Sequence, residues 1–214
     1  MRLPFSESAF LDVFAAYNRA LWPAGLALWV ATLGVAIGLA RGRGGARVMA
    51  ALLAAHWAWS GLAYHAAFFA RINPAARLFS AMFVLQAAAF VWFGLARPRL
   101  AFGTGRAPRH YLGGALVAAS LAYPALVLAA GHQLPRAPTF GVPCPTTLFT
   151  AGALLLVAPP LPHLIFVIPI VWSMIGGSAA LVLGVTPDLL LLVAGASMLA
   201  YAVAPGMLDR GGTV

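Results

Sequence analysis

Residues 163–184 read HLIFVIPIVWSMIGGSAALVLG, and this run of 22 residues contains no Asp, Glu, Lys or Arg. An α-helix rises about 1.5 Å per residue, so roughly 20 apolar residues cross the hydrocarbon core of a bilayer. The stretch therefore has the length and the composition of a transmembrane helix.

The rest of the chain repeats this pattern. Of its 214 residues, 63% are hydrophobic and 8% are charged, and the mean hydropathy is +0.93. Such a chain has too little polar surface to face water on all sides. We therefore predict an all-α fold, a polytopic transmembrane helical bundle of about seven spans that forms a single domain over residues 1–214. The predicted spans are Trp22–Ala40, Val48–Ala70, Leu78–Ala96, Tyr111–Ala130, Thr146–Pro160, His163–Gly184 and Asp188–Ala204.

An interfacial amphipathic helix is predicted ahead of the first span. Phe10, Phe14, Tyr17 and Leu21 recur at helical spacing, which is typical of a helix that lies along the membrane surface. The Trp22-Pro23 pair suits a turn into the membrane, because Trp favours headgroup depth and Pro favours the first helical turn.

The basic residues indicate membrane orientation and not nucleic-acid binding. The formal net charge is +9, and all 13 basic residues are Arg, which lie in short clusters between apolar runs. Short cytoplasmic loops retain Arg, so the loops after spans one and three should be cytoplasmic. This places the N-terminus outside and the C-terminus, with Arg210, inside. The arginines of those two loops are Arg41, Arg43, Arg47, Arg97, Arg99, Arg106 and Arg109.

Span two contains the densest polar and aromatic run of the chain. His56 and His65 are nine residues apart, about two and a half helical turns, so they face opposite sides and cannot share one ligand. We predict a ligand pocket at His65, with Tyr64 and Trp59 as aromatic walls and the Gln86 amide of span three at mid-depth. Alternatively, Gln86 hydrogen-bonds a neighbouring helix in the bundle core.

The predicted topology gathers further polar residues at the outer end of the bundle. Asn73 joins His65 there as a predicted ligand-binding residue. Cys144 lies at the predicted N-terminus of span five, where the helix dipole favours a thiolate. With an imidazole from His65 or His132, it would form a site for a soft or borderline metal such as Cu(I) or Zn(II). Alternatively, Cys144 is a small residue that fills a tight turn, and the nearby Asp188 caps the start of span seven.

The sequence favours a non-enzymatic membrane protein. No serine has a matching His and Asp, and no acidic pair lies within a span for proton coupling. We expect a protein that binds or transports a small ligand or ion through an outward-facing polar and aromatic site. One alternative is a metal- or haem-binding subunit of a redox system, with histidines from different spans as axial ligands. Another is a structural subunit of a larger membrane assembly, with copies of itself or other membrane subunits as partners.

Several short segments carry a family resemblance. They are Tyr17-Asn18-Arg19-Ala20-Leu21-Trp22-Pro23, Ile72-Asn73-Pro74-Ala75, Leu85-Gln86-Ala87, Pro145-Thr146, Ile168-Pro169 and Trp172. They resemble a family of bacterial multi-pass membrane proteins of unknown function. The resemblance implies a stand-alone helical domain in the bacterial inner (cytoplasmic) membrane and no assigned activity.

Overall fold

The computed structural model describes residues 4–209, and this part of the chain folds into eight α-helices without a β-strand. Arg210, which we expected on the cytoplasmic side, lies outside the described residues. The helices are α1 (Glu7–Ala40), α2 (Ala46–Trp59), α3 (Ala76–Val91), α4 (Pro108–Ala129), α5 (Pro143–Leu155), α6 (Leu164–Leu183), α7 (Leu190–Val203) and α8 (Pro205–Asp209). The predicted all-α class is confirmed.

Short helical segments of other types extend these helices. α2 continues as a π-helix over Ser60–Ala66, and α3 continues as a π-helix over Trp92–Ala96. 3₁₀-helices occupy Phe69–Arg71 and Thr186–Leu189, the second of which leads directly into α7.

Five helical segments are long and apolar enough to cross a membrane, which supports a membrane location. They are Glu7–Ala40, Ala76–Ala96, Pro108–Ala129, Leu164–Leu183 and Thr186–Val203. The two other predicted spans also coincide with helices, namely α2 with its π extension and α5. The count of seven spans stays a prediction.

The N-terminal segment does not form a separate interfacial helix. α1 is continuous over 34 residues, and Pro23 lies inside it without a break. The apolar residues expected to face the membrane surface pack against protein instead: Phe14 and Tyr17 are buried. The neighbouring Asn18 donates hydrogen bonds to the carbonyl oxygens of Pro135 and Ala137, at 2.7 and 2.8 Å. These contacts attach the first half of α1 to the segment that precedes α5.

α5 is the central helix of the bundle, and all of its residues except Cys144 are buried. It ends at Leu155, before the end of the predicted span Thr146–Pro160, because the prolines that follow cannot extend a helix. With 13 residues it is about 20 Å long, shorter than the hydrocarbon core of a bilayer. A helix that is apolar on every side belongs inside a bundle, which is where α5 lies.

Arg109 closes the C-terminal end of α5. Its Nη1 donates to the carbonyl oxygens of Leu155, at 2.9 Å, and Val157, at 3.3 Å. Its Nε donates to Asp209 Oδ1 at 2.5 Å, and its guanidinium lies 5.3 Å from the centre of the Tyr201 ring. A helix leaves its last carbonyl groups unpaired, so a cation at this end satisfies them and interacts favourably with the helix dipole. This end of the bundle also carries the arginine-rich loops.

Candidate functional site

A cavity of about 170 Å³ opens at the other end of the bundle. The start of α1, the end of α2, the start of α3 and the second half of α6 form its walls, together with the first residues of α5 and the turn before α7. Its polar side chains are Tyr64, His65, Asn73, Cys144, Trp172 and Asp188. Its aromatic side chains further include Phe5, Phe10, Phe14, Phe69 and Phe79.

His65 is the most unusual polar residue of the cavity. It is 0% exposed, and aromatic rings surround it, with ring centres of Phe83 at 4.7 Å, Trp172 at 5.0 Å and Phe79 at 5.7 Å. Neither nitrogen of its ring has a hydrogen-bond partner among residues 4–209, and the same is true of Trp172 Nε1. Since buried polar groups nearly always have partners, these atoms are available to a ligand.

The π-helical segment Ser60–Ala66 positions His65 and Tyr64. Single-turn π segments within α-helices occur frequently at functional sites. Gly61 lets this segment lie close to α3, because a Cβ at Gly61 would lie 3.0 Å from Phe83 Cβ and 3.1 Å from the Ser80 carbonyl oxygen. The close approach leaves His65 enclosed between α2, α3 and α6.

A second cluster of polar side chains lies where α4, α5 and the turn before α7 meet. The Tyr123 hydroxyl of α4 donates a hydrogen bond to Asp188 Oδ1, and the Cys144 thiol lies beside the same carboxylate. Asp188 is 7% exposed. No Arg or His side chain of the described residues forms an ion pair with it, although His132 lies near enough to contribute to its electrostatic environment.

Capping does not account for Asp188 or Cys144. The turn that contains Asp188 has no side-chain cap, and the Asp188 carboxylate instead accepts a hydrogen bond from another helix. α5 begins at Pro143 with Val142 as its N-cap, so Cys144 lies within the first turn of the helix.

The structure brings four of the predicted site residues to one cavity: Tyr64, His65, Asn73 and Cys144. The three other predicted residues, Trp59, Gln86 and His132, are not among its lining residues.

Two of these three side chains hold helices together instead. Gln86 is buried, and its Nε2 donates to the Ile165 carbonyl oxygen at 2.9 Å, which is the alternative role considered for it above. Trp59 Nε1 donates to the Tyr17 hydroxyl at 2.7 Å and thereby joins α2 to α1.

The described residues contain no group of three or more His, Cys, Asp or Glu side chains placed to hold a metal ion. This finding does not support the metal site predicted at Cys144, His132 and His65, which stays a prediction. In the structure the Cys144 thiol lies beside the Asp188 carboxylate.

Sequence reasoning missed two residues that shape the site, Trp172 and Tyr123. Trp172 presents an unpaired N–H to the cavity, and Tyr123 fixes the carboxylate of Asp188. Both are large residues with one polar atom inside a predicted span, which is a weak signal on its own. The sequence predicts Phe10 and Phe14 at the lipid interface, whereas in the structure they line the cavity.

Comparison with known proteins places the chain in a family without indicating an activity. No curated protein and no solved structure matches the sequence. A family model described as a family of unknown function, DUF6064, matches residues 7–210. The match covers nearly the whole chain, including every helix from α1 to α8. The chain therefore belongs to this family of unknown function, as its short motifs suggested.

Proposed function

We propose that the chain is an integral protein of the bacterial inner membrane that binds a small ligand in the cavity beside His65. The observation that carries this proposal is the histidine itself. A fully buried imidazole with two unpaired nitrogens is costly to maintain in a folded protein. A ligand that hydrogen-bonds His65 removes this cost.

The size and the lining of the cavity suit a compact, partly apolar molecule. An engineered cavity of about 150 Å³ in another protein accommodates benzene, so the 170 Å³ here favours a ligand of about the size of one aromatic ring. Small-ligand sites are mostly apolar with a few well-placed polar groups. The aromatic walls would supply most of the affinity, and His65, Trp172 and Asp188 would orient the ligand.

The distribution of Arg supports an outward-facing cavity. Seven arginines lie in or beside the α1–α2 and α3–α4 loops, at the end opposite the cavity. Four arginines of the described chain lie toward the cavity end, namely Arg19, Arg71, Arg77 and Arg136. The positive-inside rule then favours a cytoplasmic location for the arginine-rich end. The proposed orientation has the N-terminus outside and the C-terminus in the cytoplasm.

Packing beneath the cavity favours binding over open conduction. Trp57, Phe83 and Phe149 are 0% exposed and lie in the main core of the bundle. Trp57 Nε1 also donates to Thr150 Oγ1 of α5 at 2.8 Å, and this hydrogen bond fixes α2 against α5. Transport of the ligand would require rearrangement of these side chains. We therefore propose binding, and not open conduction, as the role of the cavity.

Thermal stabilisation of the purified protein tests the proposal. A ligand that binds only the folded state raises Tm, so a panel of single-ring amines, alcohols and carboxylates should contain compounds that stabilise the protein in detergent. The same compounds should fail to stabilise His65→Leu. They should still stabilise His110→Leu, which alters a histidine at the opposite end of the bundle. If no compound shifts the Tm of the wild-type protein, the proposed function is wrong.

A further inference from the structure

We infer that the ligand of this cavity is a small organic ammonium cation with an apolar substituent. The inference rests on the proposed function and names the chemical class that the site would take. It begins from Asp188, a buried carboxylate that lines the cavity.

No Arg or His side chain of residues 4–209 forms an ion pair with Asp188, although His132 lies nearby. The Asp188 carboxylate accepts a hydrogen bond from the Tyr123 hydroxyl, and the Cys144 thiol lies beside it, so both of these neighbours are neutral groups. The two ion pairs of the described chain lie elsewhere, between Arg109 and Asp209 and between Arg136 and Asp12. Buried carboxylates are normally paired with a cation. A cationic ligand in the cavity would provide the missing charge.

The aromatic walls also favour a cation. Phe14, Tyr64 and Phe69 form a stacked row, with ring centres 5.5 Å apart for the first pair and 5.9 Å apart for the second. Phe79 and Trp172 also pack against His65, and their ring centres lie 5.3 Å apart. The face of an aromatic ring attracts an ammonium group, most strongly where water is excluded. A cavity that combines several such rings with one carboxylate would select a cation over a neutral molecule of equal shape.

His65 adds a directional contact to this arrangement. A neutral imidazole has one donor and one acceptor nitrogen, and both are unpaired here. The acceptor nitrogen can receive an ammonium N–H, while the Asp188 carboxylate provides the opposite charge. An anion would meet the Asp188 carboxylate unfavourably, so the site should exclude carboxylate ligands.

Three probes of similar shape and different charge test the inference. Benzylamine is a cation at neutral pH, benzyl alcohol is neutral and benzoate is an anion. Isothermal titration of each into detergent-solubilised protein, with empty micelles titrated in parallel, should give about tenfold tighter binding of benzylamine than of benzyl alcohol. Benzoate should not bind.

Asp188→Asn separates the charge from the shape of the cavity. In this variant the affinity for benzylamine should fall to that for benzyl alcohol. Asp12→Asn is the matched control, because it removes a carboxylate of α1 that is paired with Arg136 outside the cavity, and it should keep the preference. If Asp188→Asn does not fold, the comparison of the three probes on the wild-type protein still tests whether the site prefers a cation.

The outcomes distinguish the inference from the proposed function. Equal affinity of the wild-type protein for benzylamine and benzyl alcohol would overturn the ammonium inference and leave the proposed ligand site intact. Failure of all three probes to bind would also overturn the ammonium inference, and the proposed ligand site would fall as well if no compound of the single-ring panel shifts Tm. Preference for the amine that persists in Asp188→Asn would also overturn the inference, because the carboxylate would then not be its source.

Discussion

The Tyr123 hydroxyl donates a hydrogen bond to the Asp188 carboxylate, and this contact joins the second half of α4 to the turn that precedes α7. Both residues are buried, Tyr123 completely. The turn before α7 forms one wall of the cavity. The contact therefore couples the position of the Asp188 carboxylate, which the proposed ligand would meet, to the packing of the bundle.

Tyr123→Phe should destabilise the protein. The substitution keeps the ring and removes the hydroxyl, so a buried carboxylate loses a hydrogen-bond donor. Loss of such a partner costs about 1–3 kcal/mol of unfolding free energy. Unfolding in a mixed detergent series measures this change. Tyr111→Phe is the control, since Tyr111 is 66% exposed and should tolerate the change. Equal stability of the two variants would show that the hydroxyl contact contributes nothing.

Arg109→Gln should destabilise the opposite end of the bundle. It removes the charged donor from the Leu155 and Val157 carbonyl oxygens and from Asp209. We expect a loss of about 2 kcal/mol, a value that allows for the partly exposed Asp209 carboxylate. Arg106→Gln, at an exposed position of the loop just before α4, should leave Tm unchanged. A Tm of Arg109→Gln equal to that of the wild-type protein would contradict the role of Arg109 in closing α5.

Gly152→Ala should disturb the packing of α5 against α4. A Cβ at this position would lie 2.6 Å from the Gly113 carbonyl oxygen and 2.9 Å from the Val117 nitrogen, and neither backbone atom can rotate away. Overpacking of this kind costs about 1–3 kcal/mol. Gly114→Ala provides the contrast, because no atom lies within 4 Å of a Cβ placed there. If both variants unfold at the same temperature, the close approach of the two helices is not as described.

The helical class could be predicted because apolar runs of about 20 residues leave few other structures open to the chain. The predicted span His163–Gly184 differs from α6, Leu164–Leu183, by one residue at each end. The predicted N-terminal interfacial helix is not confirmed, and the reason is physical. The spacing of Phe10, Phe14 and Tyr17 defines an apolar face, and it does not reveal whether lipid or protein covers that face.

The site could be predicted in part. His65, Tyr64, Asn73 and Cys144 follow from the expectation that polar residues within or beside spans meet at one end of the bundle. The same expectation does not hold for Gln86, which bonds the Ile165 carbonyl oxygen. Periodicity predicts which face of a helix a residue occupies, and it does not predict the partner opposite that face. The partnership of Tyr123 with Asp188 joins residues 65 positions apart, and no local pattern encodes it.

Labelling of Cys144 tests the central claim of an outward-facing cavity in a membrane protein most directly. Cys144 is the one cysteine of the chain, and it lines the cavity with a partly exposed side chain. A small membrane-impermeant thiol reagent should label it in intact spheroplasts, with Cys144→Ser as the background control. Labelling that occurs only after the membrane is broken would contradict the account.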